Sequence, residues 1–370
     1  MTVAVDTREE ALERFAQLGW PTPRLEEWKY TNLAPVAKVD WHKGTVDETA
    51  DAPSTSFDDE HAAVTFVFVN GYLVRKSGNP IGVREIDDHG TLDFENNAMI
   101  ALNSAHMHGG ARIEIDGVID GYVHLVFYGE GDGIWSHPRN AIRVARNAQV
   151  TIVESYEGNG NYFTNSVTEL IAGDGAVVDH TTVVRESDEA FHVGNLIIEQ
   201  ERSSSVTARS FTLGGKLVRN EVTVALKGEG ASVVLDGLFA LSGSQHADNH
   251  TVIDHVKPHC ESLELYKGII DDSARGIFDG KIIVRPDASK TVSRQTNHNL
   301  LLSASAIVDS KPTLEILNDD VKCNHGSTIG QLNEEALFYL RSRGIGEEEA
   351  RNLLVYAFAG EIVDRIKLEP

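Results

Sequence analysis

Thr223-Val224-Ala225-Leu226-Lys227-Gly228-Glu229-Gly230-Ala231-Ser232-Val233 reads as one phrase: an apolar strand, a turn carrying glycine or charge, a small residue, and a second apolar strand. The phrase also stands at Arg143-Val144-Ala145-Arg146-Asn147-Ala148-Gln149-Val150 and at Leu170-Ile171-Ala172-Gly173-Asp174-Gly175-Ala176-Val177. Less regular copies follow around Cys260, at Ile282 to Ala288 and at Leu314 to Asp320. With Ala148, Ala176, Ser204, Ala231, Cys260, Ala288 and Asp320 taken as equivalent, the period is about 28 residues, with a longer last step. Units this short, made of β-branched strands without a helix apiece, cannot bury their apolar faces alone and must stack, each rung covering the next. The reading is a mainly β chain with a parallel β-helix (solenoid) core. A β-sandwich is the rival, but its connections should not repeat so evenly in length.

Upstream, Val64 to Val69, Asn70-Gly71 and Tyr72-Leu73-Val74 spell a hairpin, since Asn-Gly supplies the two positive φ values of a type I′ turn. Phe94 to His106 predicts a helix stopped by Gly109-Gly110. At the start, Thr7 and Glu10 have capping-box spacing ahead of Ala11, Leu12, Phe15 and Leu18, and Gly19 ends that helix. Trp20 to Leu33 holds two prolines, two tryptophans and a tyrosine, and reads as a packed connector that anchors the first helix. Asp47 to Glu60 reads as an acidic, mobile linker.

Downstream, Asp319 to Leu332 reads as a loop where strand chemistry gives way to two helices. Asn333 caps the first, which Gly344 stops, and the second runs from Glu347 to Lys367. Its stripe of Ala350, Leu353, Leu354, Ala357, Phe358, Ile362 and Ile366 is expected to close the last rung, whose strand edges would otherwise stand unpaired. The chain divides into an N-terminal helical region and linker (1–60), a mixed strand and helix entry region (61–135), a β-helix core (136–325) and a C-terminal helical region (326–370).

Acidic residues outnumber basic ones by 56 to 33 in 370 residues, a formal charge of -23, so nucleic acid and anionic membrane are poor partners. Two cysteines make no disulfide framework, and the opening Met1 to Asp6 has neither a basic nor an apolar targeting region, which points to the cytoplasm. Gly214-Gly215-Lys216-Leu217 and Gly280-Lys281-Ile282 lack the hydroxyl of a phosphate-binding loop, so ATP binding by this chain is not expected.

Cys323 and His325 bring a thiolate donor and an imidazole donor within two residues. From spacing alone their plainer reading is a small buried residue and a turn residue. His246, His250, His255 and His259 lie on strand-like sequence without the glutamate of a helical zinc motif, so mutual satisfaction with nearby aspartates is favoured over metal binding. Asp271, Asp272, Asp279 and Asp287 could furnish the paired carboxylates of a glycosidase, but acidic residues are too common here to weigh much. An iron-sulfur cluster within one chain wants four thiolates, so any cluster would draw ligands from a partner or from histidine. Phe338, Tyr339, Tyr356 and Phe358 exceed what one buried helix face needs and mark a docking surface.

Arg24 to Tyr30, Ser136-His137-Pro138-Arg139-Asn140, Asp248-Asn249-His250 with Asp254-His255, Tyr266-Lys267-Gly268, Arg275 to Lys281 and Asp320 to Gly326 together resemble the SufB/SufD iron-sulfur cluster assembly family, over nearly the whole chain. The resemblance implies a right-handed parallel β-helix between helical ends and a cytoplasmic scaffold, not an enzyme. It also implies a SufB-like partner in a heterodimer, a SufC-like ABC ATPase docked on the C-terminal helices, and a transient iron-sulfur cluster or iron shared at the subunit interface beside Cys323 and His325. No counterpart of the cysteines associated with sulfur acceptance in the SufB branch is evident, which favours the SufD side of the pair. His298, about one period before His325, is a candidate to stack near it, although the repeat anchors set it at another phase. Two other function classes stand beside this one: a carbohydrate-active β-helix enzyme of secreted type, and a structural solenoid that forms a homodimer.

Overall fold

The computed structural model describes residues 3–46, 61–86 and 94–366; the acidic stretch from Asp47 to Glu60 lies outside the described residues. Successive strands alternate between two sheets, and from Tyr162–Ala172 onward each pairs in parallel with the strand two before it. The last members are Ile307–Ile316 in the first sheet and Lys322–Gln331 in the second. This is the parallel solenoid that the repeat predicts.

One corner explains the repeat. Asn147, Ser203, His259 and Lys290 have φ between 55° and 61°, and Gly175 and Gly230 occupy the same left-handed region at the equivalent place. Each amide in this column donates to the next rung, Asn147 N to Asp174 O at 2.9 Å and His259 N to Ser289 O at 2.9 Å among them. The residue that follows turns inward against the corner below, where only a small side chain fits: Ala148, Ala176, Ser204, Ala231, Cys260 and Thr291 are all fully buried or nearly so. Pairing then restarts in register, stacking Gln149, Val177, Ser205, Ser232, Glu261, Val292 and Lys322. The last two anchors read from the sequence are corrected: Thr291 and Val321, not Ala288 and Asp320, continue the column, because these corners carry additional residues. Ala288 is also buried, in the turn that precedes Lys290, which is why it imitates the anchor.

Between the sheets, Val150, Val178, Val206 and Val233 form an aliphatic column, and Phe68, Phe127 and Tyr156 stack at 5.1 and 4.9 Å between ring centres. The stack begins before residue 136, since Ala62–Val69 pairs in parallel with Val118–Glu130. The predicted hairpin joins Ala62–Val69 to Tyr72–Ser77, with Asn70 and Gly71 at φ 51° and 87°.

Helix α1 (Val3–Leu18) starts earlier than predicted, so Thr7 lies within it and is not its cap; Gly19, at φ 69°, does end it. A short helix α2 (Ala34–Ala37) follows the connector, whose Trp28 is buried under the Arg219 guanidinium at 3.8 Å. Helix α3 (Ala98–His106) starts four residues later than Phe94 because Asn97 caps it, accepting from Met99 N and Ile100 N at 2.9 and 3.1 Å. Helix α4 (Glu334–Ser342) has the expected Asn333 cap, with Oδ1 accepting from Glu335 N and Ala336 N.

Helix α5 (Glu347–Val363) does not close the last rung. It lies on the outer face of the second sheet, where Phe358, Ile362 and Ile366 pack with Val355, Ala359 and Val363 against Val183, Phe211, Leu238, Leu265 and Ile269. Lys267 fixes it by donating to Phe358 O at 2.9 Å and pairing with Glu361. That wall of outward-facing apolar side chains, longer than any one rung, is the larger surface to cover, and it draws the helix sideways.

Gly237 stacks on Tyr266, which is 2% exposed, and a Cβ at 237 would overlap the Tyr266 ring. The ring would have to shift from its place in the stack, so Gly237→Ala should destabilise the protein by about 2 kcal/mol, read as a lower denaturant midpoint with the cooperative slope unchanged.

Candidate functional site

With α5 on the flank, the C-terminal end of the stack stays open. Ile307–Ile316 and Lys322–Gln331 are each paired on one side only, so two strands offer backbone groups outward. Leu317 and Ile329 are more than half exposed there. The two edges are unequal: Pro312 removes a donor from the first, while Lys322–Gln331 contains no proline.

Cys323 and His325 are therefore on a strand, not in the loop predicted between Asp319 and Leu332. The sequence Cys-Asn-His-Gly-Ser is polar enough to read as a turn, but the ladder with Val292–Leu301 imposes extension. Alternate residues of a strand share a face, and Cys323, His325 and Ser327 take the inward one. Cys323 packs half-buried against the aliphatic core, and burial raises its thiol against a backbone hydrogen bond from Ser293. His325 is exposed. Ser327 Oγ meets Ser310 Oγ from the other sheet at 2.8 Å, and Ser310 Oγ donates to Asn297 Oδ1 at 2.8 Å.

His325 stacks in register on Gln295, which stacks on Glu264. The Gln295 amide donates to Glu264 Oε2 at 2.7 Å. Glu264 is buried, and burial raises its carboxyl to about 7 against the pull of Thr251 and Gln295. A polar column thus leads from the open end inward, through Gln295 and Glu264, neither singled out by the sequence reading. His298 takes no part: it is paired with Thr328, its Nδ1 2.6 Å from Thr328 Oγ1.

The four clustered histidines divide: His246 and His250 are linked through Thr31 and Asp248, while His255 and His259 stand apart. His246 Nε2 lies 2.8 Å from Thr31 Oγ1, and His250 Nε2 lies 3.0 Å from Asp248 Oδ1. Burial alone would raise the Asp248 carboxyl, but Arg219, His250 and Thr31 outweigh it and hold it well below the carboxylate range. His255 is buried beside Ser262 Oγ at 2.9 Å, and burial lowers it to about 4 despite Asp254. His259 is an exposed corner residue with positive φ. Among the described residues, no three His, Cys, Asp or Glu side chains gather as a metal site.

Residues 126–358 match the model of the SUF system FeS cluster assembly SufBD core domain, and residues 1–76 match that of the SufBD protein N-terminal region. The chain belongs to the SufBD family. A SufBD family iron-sulfur cluster assembly protein of Synechocystis is 32% identical, covering 99% of this chain and 88% of the relative. Escherichia coli SufD is 29% identical over 98% of this chain and 89% of its own length, and Bacillus subtilis SufD is 25% identical over 98% and 90%. SufBD membership fits a scaffold-type component of iron-sulfur cluster assembly and the described fold, in which no helix is long and apolar enough to cross a membrane.

The proton on Glu264 gives a test of the column. The folded state holds it at pH values where the unfolded chain has lost it, so stability falls as pH rises from about 4.5 to about 7. The expected loss across that window is about 3 kcal/mol, and Glu264→Gln should remove it; urea titrations of both proteins at each pH check the difference.

Proposed function

We propose that this SufBD chain is a non-enzymatic scaffold subunit whose open end pairs with a SufB-like subunit, so that a nascent iron-sulfur cluster is built at the junction. The observation that carries the reading is the unpaired, proline-free strand Lys322–Gln331, which presents Cys323 and His325 beside an uncovered core. Iron is a substrate here. One thiolate and one imidazole supply two of the roughly four ligands that iron wants, so the others must come from the partner or from sulfide. Pairing would complete the donor set and cover the edge together. Without that partner, the same edge would be free to form a homodimer.

Cys323→Ser and His325→Ala open no large cavity and should leave the isolated chain within about 1 kcal/mol of the parent. In the complex with SufB-like and SufC-like partners, both should lower the yield of labile iron and sulfide during anaerobic reconstitution, His325→Ala more than Cys323→Ser. Parental loading by both variants in an intact complex would reduce these residues to a structural role.

The ATPase of the complex would dock on α4 and α5, in the cytoplasm. Phe338 is 74% exposed, Tyr339 57% and Tyr356 64%, three exposed aromatic side chains on the two helices, with Arg343 over the Tyr339 ring at 5.1 Å. Phe358 leaves this candidate set, because its ring packs under Lys267 at 4.6 Å and against the sheet. Tyr356→Asp should weaken capture of a SufC-like ATPase by about tenfold in a pull-down or titration, with the unfolding midpoint unchanged. Undiminished capture would move the docking face elsewhere.

A further inference from the structure

At the opposite end of the stack, a cavity of about 230 Å³ lies between α1, α3 and the Ile134–Ser136 strand. Arg8, Lys43, His106, His108 and His137 line it, and no acidic side chain does, in a chain whose net charge is -23. Such a cluster runs against the field of the whole molecule.

The donors are directed by the surrounding bonds. His137 is 2% exposed. The Asn165 amide nitrogen donates to Met99 O at 2.9 Å, and the same nitrogen is 3.2 Å from His137 Nδ1. Nδ1 must therefore accept, which leaves the proton of the neutral ring on Nε2. That Nε2–H has no protein partner, and neither does the buried Nε2 of His108. The two residues are tied together, since the His108 amide donates to His137 O at 3.0 Å, and the His106 ring stands 5.6 Å from that of His137. Arg8 spends one guanidinium N–H on Met107 O at 3.0 Å and has others left.

A buried N–H without an acceptor costs roughly 1–3 kcal/mol and calls for an explanation. A metal ion is a poor one. Arg8 and Lys43 stand in its lining and repel cations. An oxyanion suits this lining: a guanidinium for two oxygens and an ammonium at the rim, beside two histidine rings whose Nε2 atoms lack a protein partner. We propose that this cavity binds the phosphate group of a small molecule, at a site separate from the open end and independent of the cluster-building reading.

The test uses the full chain with ¹⁵N-labelled histidine. Inorganic phosphate and glycerol 3-phosphate are titrated separately against chloride of equal ionic strength, with calorimetry in parallel. Saturable shifts of the His137 and His108 Nε2 signals are expected. Arg8→Glu and Lys43→Glu, both at exposed positions, should each weaken binding by about tenfold or more while the unfolding midpoint holds. Tighter binding of glycerol 3-phosphate assigns the site to a phosphate monoester; equal binding assigns it to the free anion. The proposal is overturned if neither anion gives a saturable shift by about 10 mM, if both charge reversals bind like the parent, or if zinc alone moves the same signals and binds more tightly to Arg8→Glu.

Discussion

Everything in this molecule depends on the ladder by which each rung's backbone is satisfied by the next. A parallel strand carries donors and acceptors along both edges, and in a stack the neighbours meet both sets. The left-handed corner keeps the ladder in step, bringing the chain back at the same height whether the rung before it is short or long. That arrangement has no internal solution at its ends. At the N-terminal end the chain folds back as an antiparallel hairpin, Tyr72–Ser77 on Ala62–Val69, which turns the second sheet's first edge away from further parallel addition. At the C-terminal end it does nothing of the kind, because α5 is committed to the flank.

The interior is not uniformly apolar. Aliphatic and aromatic columns share the earlier rungs with a buried network of Glu154, His180, Tyr156 and Thr168, and Glu264, Gln295, Asn297, Ser310 and Ser327 bring polar groups into the last ones. A carboxyl that holds its proton near neutrality, two rungs beneath an exposed imidazole, differs from a core that only needs to exclude water.

The solenoid was legible because its corner has a sequence signature: a residue tolerant of positive φ, then a small one, then β-branched alternation. The signature faded where corners lengthened, and Ala288, buried for its own local reason, imitated the anchor that Thr291 provides. That slip hid Gln295 beneath His325, while His298 was a candidate only by its distance of about one period, against the phase of the anchors. Cys323 and His325 were legible as a pair but not as strand residues, since their polar neighbours imitate a turn. The phosphate-directed cavity left no local trace, because its lining comes from four separated stretches, at residues 8, 43, 105–108 and 135–137. The position of α5 was misjudged because an amphipathic stripe says only that a helix must be covered, not by which surface.

The connector between α1 and α2 runs lengthwise across the first sheet. Trp28 rests on Arg219, Thr31 donates to Asp248 at 2.5 Å, and Glu26 pairs at 2.8 Å with Lys311 on the last strand of the first sheet. A bare solenoid behaves as a one-dimensional array, each unit coupled only to its neighbours and free to fray from an uncapped end. A strap fastened across several units couples their openings, so that fraying of the Ile307–Ile316 strand also breaks the Glu26–Lys311 tie to a segment buried further along the stack. It also imposes an order of events: the strap is translated first, packs once Phe163, Phe191 and Leu217 exist, and gains its last tie only with Lys311.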